Sequence, residues 1–144
     1  EEVMHSRVVS AKDFLAAIPG EGGPGASDAT YATVTMQFLR AWGKQYLAWL
    51  RAHGVATWST NHDCDNKAIL YWQLPLIVMP RTPGWINAES LALGVVWYVT
   101  DQGGAHAINV AMLDDRSIVF IEPQIPGIVD LSEGERKSVY MRLI

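Results

Sequence analysis

Cys64, His106 and Glu122 are the residues of this sequence whose types could together carry out nucleophilic chemistry. A thiolate is a strong nucleophile, whereas a free cysteine is mostly protonated at neutral pH. A neighbouring imidazole can activate the sulfur, and a carboxylate on the second ring nitrogen can hold that imidazole in position. These three residue types are the components of a cysteine hydrolase, provided that the fold brings them together.

Cys64 falls at the predicted start of a helix. The segment Lys67–Leu74 is apolar on most sides and precedes Pro75, which predicts a buried helix that opens at Asp63 or Cys64. A helix N-terminus carries roughly half a positive charge and free N–H groups, and both favour a thiolate over a thiol. This position therefore supports Cys64 as a nucleophile.

His106 and Glu122 lie on two consecutive predicted strands, Ala105–Leu113 and Ser117–Pro123. A loop of three residues between these strands places His106 opposite Gln124, and Glu122 then lies diagonal to His106 on the same face. A loop with an even number of residues would turn Glu122 to the opposite face. The catalytic hypothesis therefore requires an odd-numbered loop or a bulge.

Helical periodicity dominates the first third of the chain. Aromatic and leucine residues recur at three- and four-residue spacing between Thr30 and His53, which predicts one long helix with these residues in the core. Ser27 or Asp28 is expected to cap its start, and Gly54 is expected to end it.

Further strands are expected in the second half of the chain, in addition to the hairpin described above. They cover Val95–Val99 and Val139–Leu143. Helices that precede an antiparallel sheet indicate an α+β fold. We expect a single domain over residues 1–144, with a helical part at 1–54 and the cysteine helix and antiparallel sheet at 55–144.

Composition limits the classes of function. The chain has 144 residues, 49% of them hydrophobic, which suffices for one globular core. Its 11 Lys and Arg against 15 Asp and Glu give a net charge of −4, which disfavours nucleic acid as a partner. The single cysteine excludes an intrachain disulfide and a zinc site with several thiolates. We expect a soluble chain, because it shows neither a membrane-spanning apolar run nor a signal peptide.

Three short motifs carry a resemblance to a known family: NHDCDNKA at Asn61–Ala68, GGAHAINVAM at Gly103–Met112 and VFIEPQ at Val119–Gln124. A cysteine at a helix start, followed by a histidine and an acid on neighbouring strands, resembles the papain-like cysteine peptidase superfamily. Over residues 55–144 the chain looks most like the C-terminal protease-like domain of fungal chimeric agglutinins and related stand-alone domains of phages and bacteria.

The resemblance implies a papain-like fold and a role for each residue of the site. Cys64 would be the nucleophile, His106 the general base and acid, and Glu122 the group that orients His106. Trp58 and Gln124 would belong to the substrate or oxyanion site. The predicted function is then a cysteine hydrolase, a peptidase or amidase that forms a thioester acyl-enzyme with a peptide or protein substrate.

Two carboxylates flank the cysteine. Negative charge beside a thiol raises its pKa, so we expect Asp63 and Asp65 either to point away, with Asp63 capping the helix, or to bind a hard cation. Asn61 or Asn66 would supply a further ligand to such a cation. The spacing alone does not predict a metal, because no EF-hand loop is present. The resemblance implies calcium, because the agglutinin-type domains depend on it.

Two other functions stay open on the same fold. One is a non-catalytic module that binds carbohydrate or peptide, with its site lined by the aromatic residues near the motif: Trp58, Tyr71, Trp72, Trp97 and Tyr98. The other is an acyl transferase of transglutaminase type, in which an amine takes the acyl group in place of water. The oligomeric state is not predicted.

Overall fold

The computed structural model describes residues 7–59, 63–81 and 83–144. The strands are β1 (Val8–Ser10), β2 (Thr30–Ala32), β3 (Ser90–Leu91), β4 (Leu93–Val99), β5 (Ala105–Met112), β6 (Ile118–Glu122), β7 (Gly127–Val129) and β8 (Met141–Leu143). The helices are α1 (Ala11–Ala17), α2 (Met36–Ala52), α3 (Cys64–Gln73), α4 (Pro75–Val78), α5 (Pro83–Ile86) and α6 (Glu133–Lys137). Within these ranges, no helix has the length and apolar character needed to cross a membrane.

Five strands form an antiparallel sheet in the order β7-β6-β5-β4-β8. Strands β5 and β6 are joined by the turn Asp114–Arg116, across which the Leu113 N–H donates to the Ser117 carbonyl at 2.9 Å. The predicted loop of three residues is therefore confirmed. The resulting register carries His106 and Glu122 on one face of the sheet, as the sequence predicted.

The two faces of this sheet pack against different apolar clusters. Along β4 and β5, residues such as Val95 and Ala107 face the cluster that contains the buried aromatic residues of α2 and α3. The alternate residues, such as Val96 and Ile108, face a second cluster that includes α1. The aromatic stripe of α2 belongs to the core as predicted, since Trp42 is fully buried within the first cluster.

The long helix is shorter than predicted at its start. Thr30–Ala32 forms strand β2, and α2 begins at Met36, where Thr35 Oγ1 accepts the Phe38 N–H at 3.0 Å. Tertiary pairing with β1 and β3 overrides the helical pattern of this segment. The end of the helix is as predicted, because Gly54 adopts the left-handed φ of +67° that favours glycine after a helix.

A second, small sheet has the order β1-β2-β3, and its β2–β3 pair is parallel. The prediction of a helical part at residues 1–54 is therefore corrected, because β1 and β2 lie within it. The purely antiparallel arrangement holds only for the larger sheet. Strand β7 and helix α6 were not predicted, because both are short and neither has a pronounced period in the sequence.

Candidate functional site

Cys64 is the first residue of α3, at the position that the sequence predicted. Asp63 is the N-cap and forms a capping box with Asn66, whose side-chain oxygen accepts the Asp63 N–H at 3.3 Å. The Cys64 side chain is half-buried and packs against the core cluster of α2 and α3. The capping box thus fixes where the helix begins and places the thiol at the edge of the core.

Asn109 fastens α3 to the sheet. Its side-chain amide is fully buried and donates to the Ala68 carbonyl of α3 at 2.8 Å and to the Gly94 carbonyl of β4 at 3.0 Å. Buried polar groups are retained when they are hydrogen-bonded in this way. The sequence did not predict this role, although a single asparagine within the otherwise apolar run Ala107–Met112 of β5 is the signal that could have identified it.

His106 and Glu122 form a polar pair between β5 and the end of β6. Glu122 Oε2 lies 2.7 Å from His106 Nε2, and the two side chains are 17% and 21% exposed. The second Glu122 oxygen, Oε1, accepts the Gln124 N–H at 3.2 Å. Both oxygens of Glu122 are thus engaged, and the orientation of the imidazole follows from this contact.

Tyr98 lies beside this pair, on the neighbouring strand β4 and directly opposite His106. The two rings meet edge-on, with centroids 5.9 Å apart. Burial raises the pKa of Tyr98 to about 12, and nearby carboxylates, led by Glu135 and Glu122, add to the increase. The polar pair therefore lies in a region of negative charge.

The structure does not join Cys64 to this pair by a hydrogen bond within the residues that it describes. Side chains alternate between the two faces of a strand, so His106 and Asn109 lie on opposite faces of β5. Asn109 bonds to α3, the helix that begins at Cys64. Cys64 lies close enough to Tyr98 to be the smallest of the contributions that raise the pKa of Tyr98. Of the three proposed catalytic residues, two are therefore in direct contact.

Trp58 is the most exposed of the aromatic residues that the sequence placed near the site. Its side chain is 56% exposed, and within the described ranges it makes no hydrogen bond or ring contact. Tyr71, Trp72 and Tyr98 are buried, and Trp97 is half-buried. The prediction that all five residues line a binding site is therefore wrong for the three buried ones, which pack in the core beneath.

Asp63 and Asp65 lie close together. A hydrogen bond between the two carboxyl groups raises the pKa of Asp65 and lowers the pKa of Asp63. One Asp63 oxygen is buried and has no hydrogen-bond partner. Carboxylate oxygens are the ligands that Ca²⁺ prefers. In the described part of the chain, however, no cluster of three or more His, Cys, Asp or Glu could hold a metal ion.

Asp63 and Asp65 thus offer the type of ligand atom that calcium binds, but they supply fewer carboxylates than a complete calcium site. Asn61, the other predicted ligand, lies outside the described residues. Asn66 engages its side-chain oxygen in the capping box. Calcium binding by Asp63 and Asp65 stays a prediction.

Comparison with known proteins shows the fold. No protein-family model and no curated protein matches the chain. Among the solved structures that match are a PSL1a–E64 complex, with a TM-score of 0.64, and the Polyporus squamosus lectin bound to the human-type influenza-binding epitope Neu5Acα2-6Galβ1-4GlcNAc, with a TM-score of 0.65. Each is 16% identical over 95% of this chain, and this chain spans about half the length of theirs, 51% and 49%.

These structures overturn the identification of the chain as a papain-like cysteine peptidase. They are structures of a lectin, and neither is described as a peptidase or a transferase. The α+β class is confirmed, whereas the papain-like assignment and the hydrolase activity are wrong, and a peptide substrate is not supported. No comparison tests the site residues themselves: Cys64, His106, Glu122, Trp58 and Gln124.

Proposed function

We propose that this chain is a carbohydrate-binding module. The observation that carries the proposal is the shared fold, because 95% of the chain aligns with a lectin that is bound to a sialylated saccharide. The chain corresponds to about half of that lectin. The experiment must therefore test whether this half alone binds a saccharide.

We assign the binding site to the surface around the His106–Glu122 pair. Small-molecule sites combine an apolar or aromatic surface with a few polar groups that fix orientation. We also assign Trp58 to this site, because its aromatic side chain is exposed and it lies shortly before Cys64 in the chain. The side-chain amide of Gln124 and the Nδ1 atom of His106 supply donors and acceptors that no other described residue uses.

The polar part of this site is held in place before a ligand arrives. Glu122 bonds to the His106 ring through one oxygen and to the Gln124 backbone through the other. Side chains that are already fixed lose little conformational freedom on binding, so more of the contact energy appears as affinity. This rigidity suits recognition of a small, hydroxyl-bearing ligand.

The charge around the site favours a neutral saccharide. Glu135, Glu122 and Asp101 all lie close enough to raise the pKa of Tyr98. A saccharide with its own carboxylate would be repelled by this set of negative groups. We therefore expect a neutral glycan to bind more tightly here than its sialylated form.

The test is glycan-array binding followed by calorimetry on the purified chain. The probes are Galβ1-4GlcNAc and the same disaccharide carrying α2-6-linked Neu5Ac, beside a panel of other neutral glycans. Trp58→Ala is expected to weaken binding of the best neutral glycan by about tenfold, equivalent to ~1.4 kcal/mol. The matched control is Tyr140→Ala, which removes another exposed aromatic side chain, 48% exposed.

Cys64→Ala is expected to leave glycan affinity unchanged, because this function requires no nucleophile. Absence of binding across the array would contradict the proposed function. Binding that Trp58→Ala and Gln124→Ala both leave intact would support the function and refute the assigned site. Equal loss in Tyr140→Ala would show that the effect of Trp58 is not specific.

A further inference from the structure

Helix α2 carries an unbalanced row of cations. Arg40, Lys44 and Arg51 are exposed and are spaced by four and seven residues, which places them on one face of the helix. The helix holds three of the 11 Lys and Arg of the chain and none of its 15 Asp and Glu. None of the three cations forms an ion pair with a residue that the structure describes.

Part of this arrangement destabilises the helix. Like charges four residues apart, as at Arg40 and Lys44, destabilise a helix. Arg51, in contrast, lies in the last turn, where the helix dipole favours a cation, so the unfavourable contact is confined to Arg40 and Lys44. Sequence choices that oppose the local structure are expected at functional sites, where another molecule supplies the compensation.

An apolar groove runs beside Arg40 and Lys44. It encloses about 400 Å³ between α2 and the β6–β7 turn, and its other walls are Gly43, Leu47, Ile125 and Pro126. Gly43 allows the turn to approach the helix, because a Cβ there would lie only 3.1 Å from the Pro126 Cβ.

The far wall of the groove presents aliphatic surface to the outside, because Ile125 is 76% exposed. Ile128 in strand β7 is 48% exposed and lines an adjoining cavity that shares Arg40 and Pro126 with the groove. Neighbouring exposed aliphatic side chains of this kind mark interaction surfaces more often than isolated ones do. The groove thus combines an apolar wall on one side with unpaired cations on the other.

We propose that this groove binds an acidic segment of a protein partner. The segment presents carboxylates to Arg40 and Lys44 and apolar side chains to Ile125 and Pro126. Charge complementarity identifies the occupant, since the cations have no acidic partner within the described chain. The aliphatic walls favour protein side chains over a saccharide, and the net charge of −4 disfavours a nucleic acid.

This inference goes beyond carbohydrate binding and is independent of it. The groove shares no residue with the surface around His106 and Trp58 that we assigned to the glycan. Loss of one activity therefore leaves the other testable in the same protein.

The test is selection of peptides from a displayed random library on the purified chain. Selected peptides are expected to combine Asp or Glu with apolar residues. By fluorescence anisotropy, the double variant Arg40→Glu/Lys44→Glu is expected to bind a synthetic copy of the best peptide more weakly by about tenfold or more. Lys12→Glu is the control for charge reversal, since it reverses one cation at an exposed lysine on α1, away from the groove.

A second variant, Ile125→Ser, tests the apolar wall without changing charge and is expected to weaken binding by about tenfold. Circular dichroism verifies that each variant is folded. The proposal is overturned by peptides without acidic enrichment, or by equal binding to wild type and the double variant. A wild-type dimer that the double variant converts to a monomer would also overturn it, because the occupant would then be a second copy of this chain.

Discussion

The β6–β7 turn, residues 123–126, separates two surfaces of opposite chemistry. On one side Glu122 holds His106, within a region that several carboxylates make negative. On the other side Ile125 and Pro126 face the cations of α2. A single turn of four residues thus lies between an acidic, polar surface and a basic, apolar one.

The two surfaces differ in whether their charges are satisfied within the chain. Glu122 engages both of its oxygens, whereas Arg40 and Lys44 form no ion pair with any described residue. An internally satisfied pair gives a rigid surface that selects a ligand by hydrogen bonding and shape. Unpaired cations form favourable charge contacts with an acidic partner, and their main effect is to raise the rate at which that partner associates. The four predictions below test this contrast.

The largest effect is expected from Asn109→Ala. The substitution removes the buried donor that joins Ala68 of α3 to Gly94 of β4 and leaves a small cavity. We expect a loss of about 3 kcal/mol in the free energy of unfolding and a melting temperature lower by about 10 °C. Differential scanning calorimetry measures both quantities.

The control for that change is Asn66→Ala, which removes an exposed asparagine from the capping box of the same helix. It is expected to cost about 1 kcal/mol. Equal stability of Asn109→Ala and wild type would show that α3 is held to the sheet by apolar packing alone.

Calcium is expected to act at the start of α3. If Asp63 and Asp65 bind Ca²⁺, the ion stabilises the folded chain by about 2.7 kcal/mol at a concentration about 100 times its Kd. Thermal unfolding with CaCl₂ and with a chelator measures this difference. Asp63→Asn is expected to abolish it, whereas Asp115→Asn, in the exposed turn between β5 and β6, is expected to retain it. If Asp115→Asn abolished the stabilisation and Asp63→Asn retained it, the calcium site would lie in the turn instead.

Alkaline pH is expected to destabilise the region around Tyr98. The folded chain holds the pKa of Tyr98 at about 12, above the ordinary value of 10.0, because burial disfavours the phenolate. The folded state therefore binds more protons than the unfolded state in this window. Stability is fully present below pH 10 and falls as the pH rises through about 12.

Chemical denaturation at a series of alkaline pH values measures this loss, and Tyr98→Phe is expected to reduce its slope. Burial also raises the pKa of Tyr46 and Tyr71, so part of the slope is expected to persist. Lys44→Gln, on the basic surface, should leave the slope unchanged. An unaltered slope in Tyr98→Phe would show that the acidic surface does not control the response to alkali.

The smallest effect has the opposite sign. Arg40→Glu places a carboxylate four residues before Lys44 and near the N-terminal end of α2. We expect the free energy of unfolding to rise by about 0.3–0.5 kcal/mol, because the change replaces like-charge repulsion with an attractive Glu–Lys pair four residues apart. Urea unfolding measures it. A destabilised variant would mean that Arg40 has a structural role, and the contrast between the two surfaces would be weaker.

The parts of the fold that were predictable are those set by short-range geometry. The helix from Cys64, the loop Asp114–Arg116 and the register that joins His106 to Glu122 follow from capping, turn length and strand alternation. Each of these rules acts over a few residues and does not require knowledge of the rest of the chain.

Other features depended on residues that are distant in the sequence. Thr30–Ala32 has a helical pattern but pairs as a strand with β1 and β3. Tyr71 and Trp72 were candidate ligand contacts, but α3 buries them against the sheet and α2. The peptidase identification failed for a related reason, since motif order gives residue types in sequence and not the function of the fold that carries them.

By itself the sequence determined where the cysteine helix starts and which side chains of the hairpin share a face, because capping and strand alternation are local. Only the tertiary structure showed that Glu122 contacts His106 while Cys64 makes no hydrogen bond to that pair, within the described residues. Only the tertiary structure, too, placed the turn beside the cations of α2. The physical reason is that contacts between distant elements are decided by how the whole core packs, and no local pattern records that outcome.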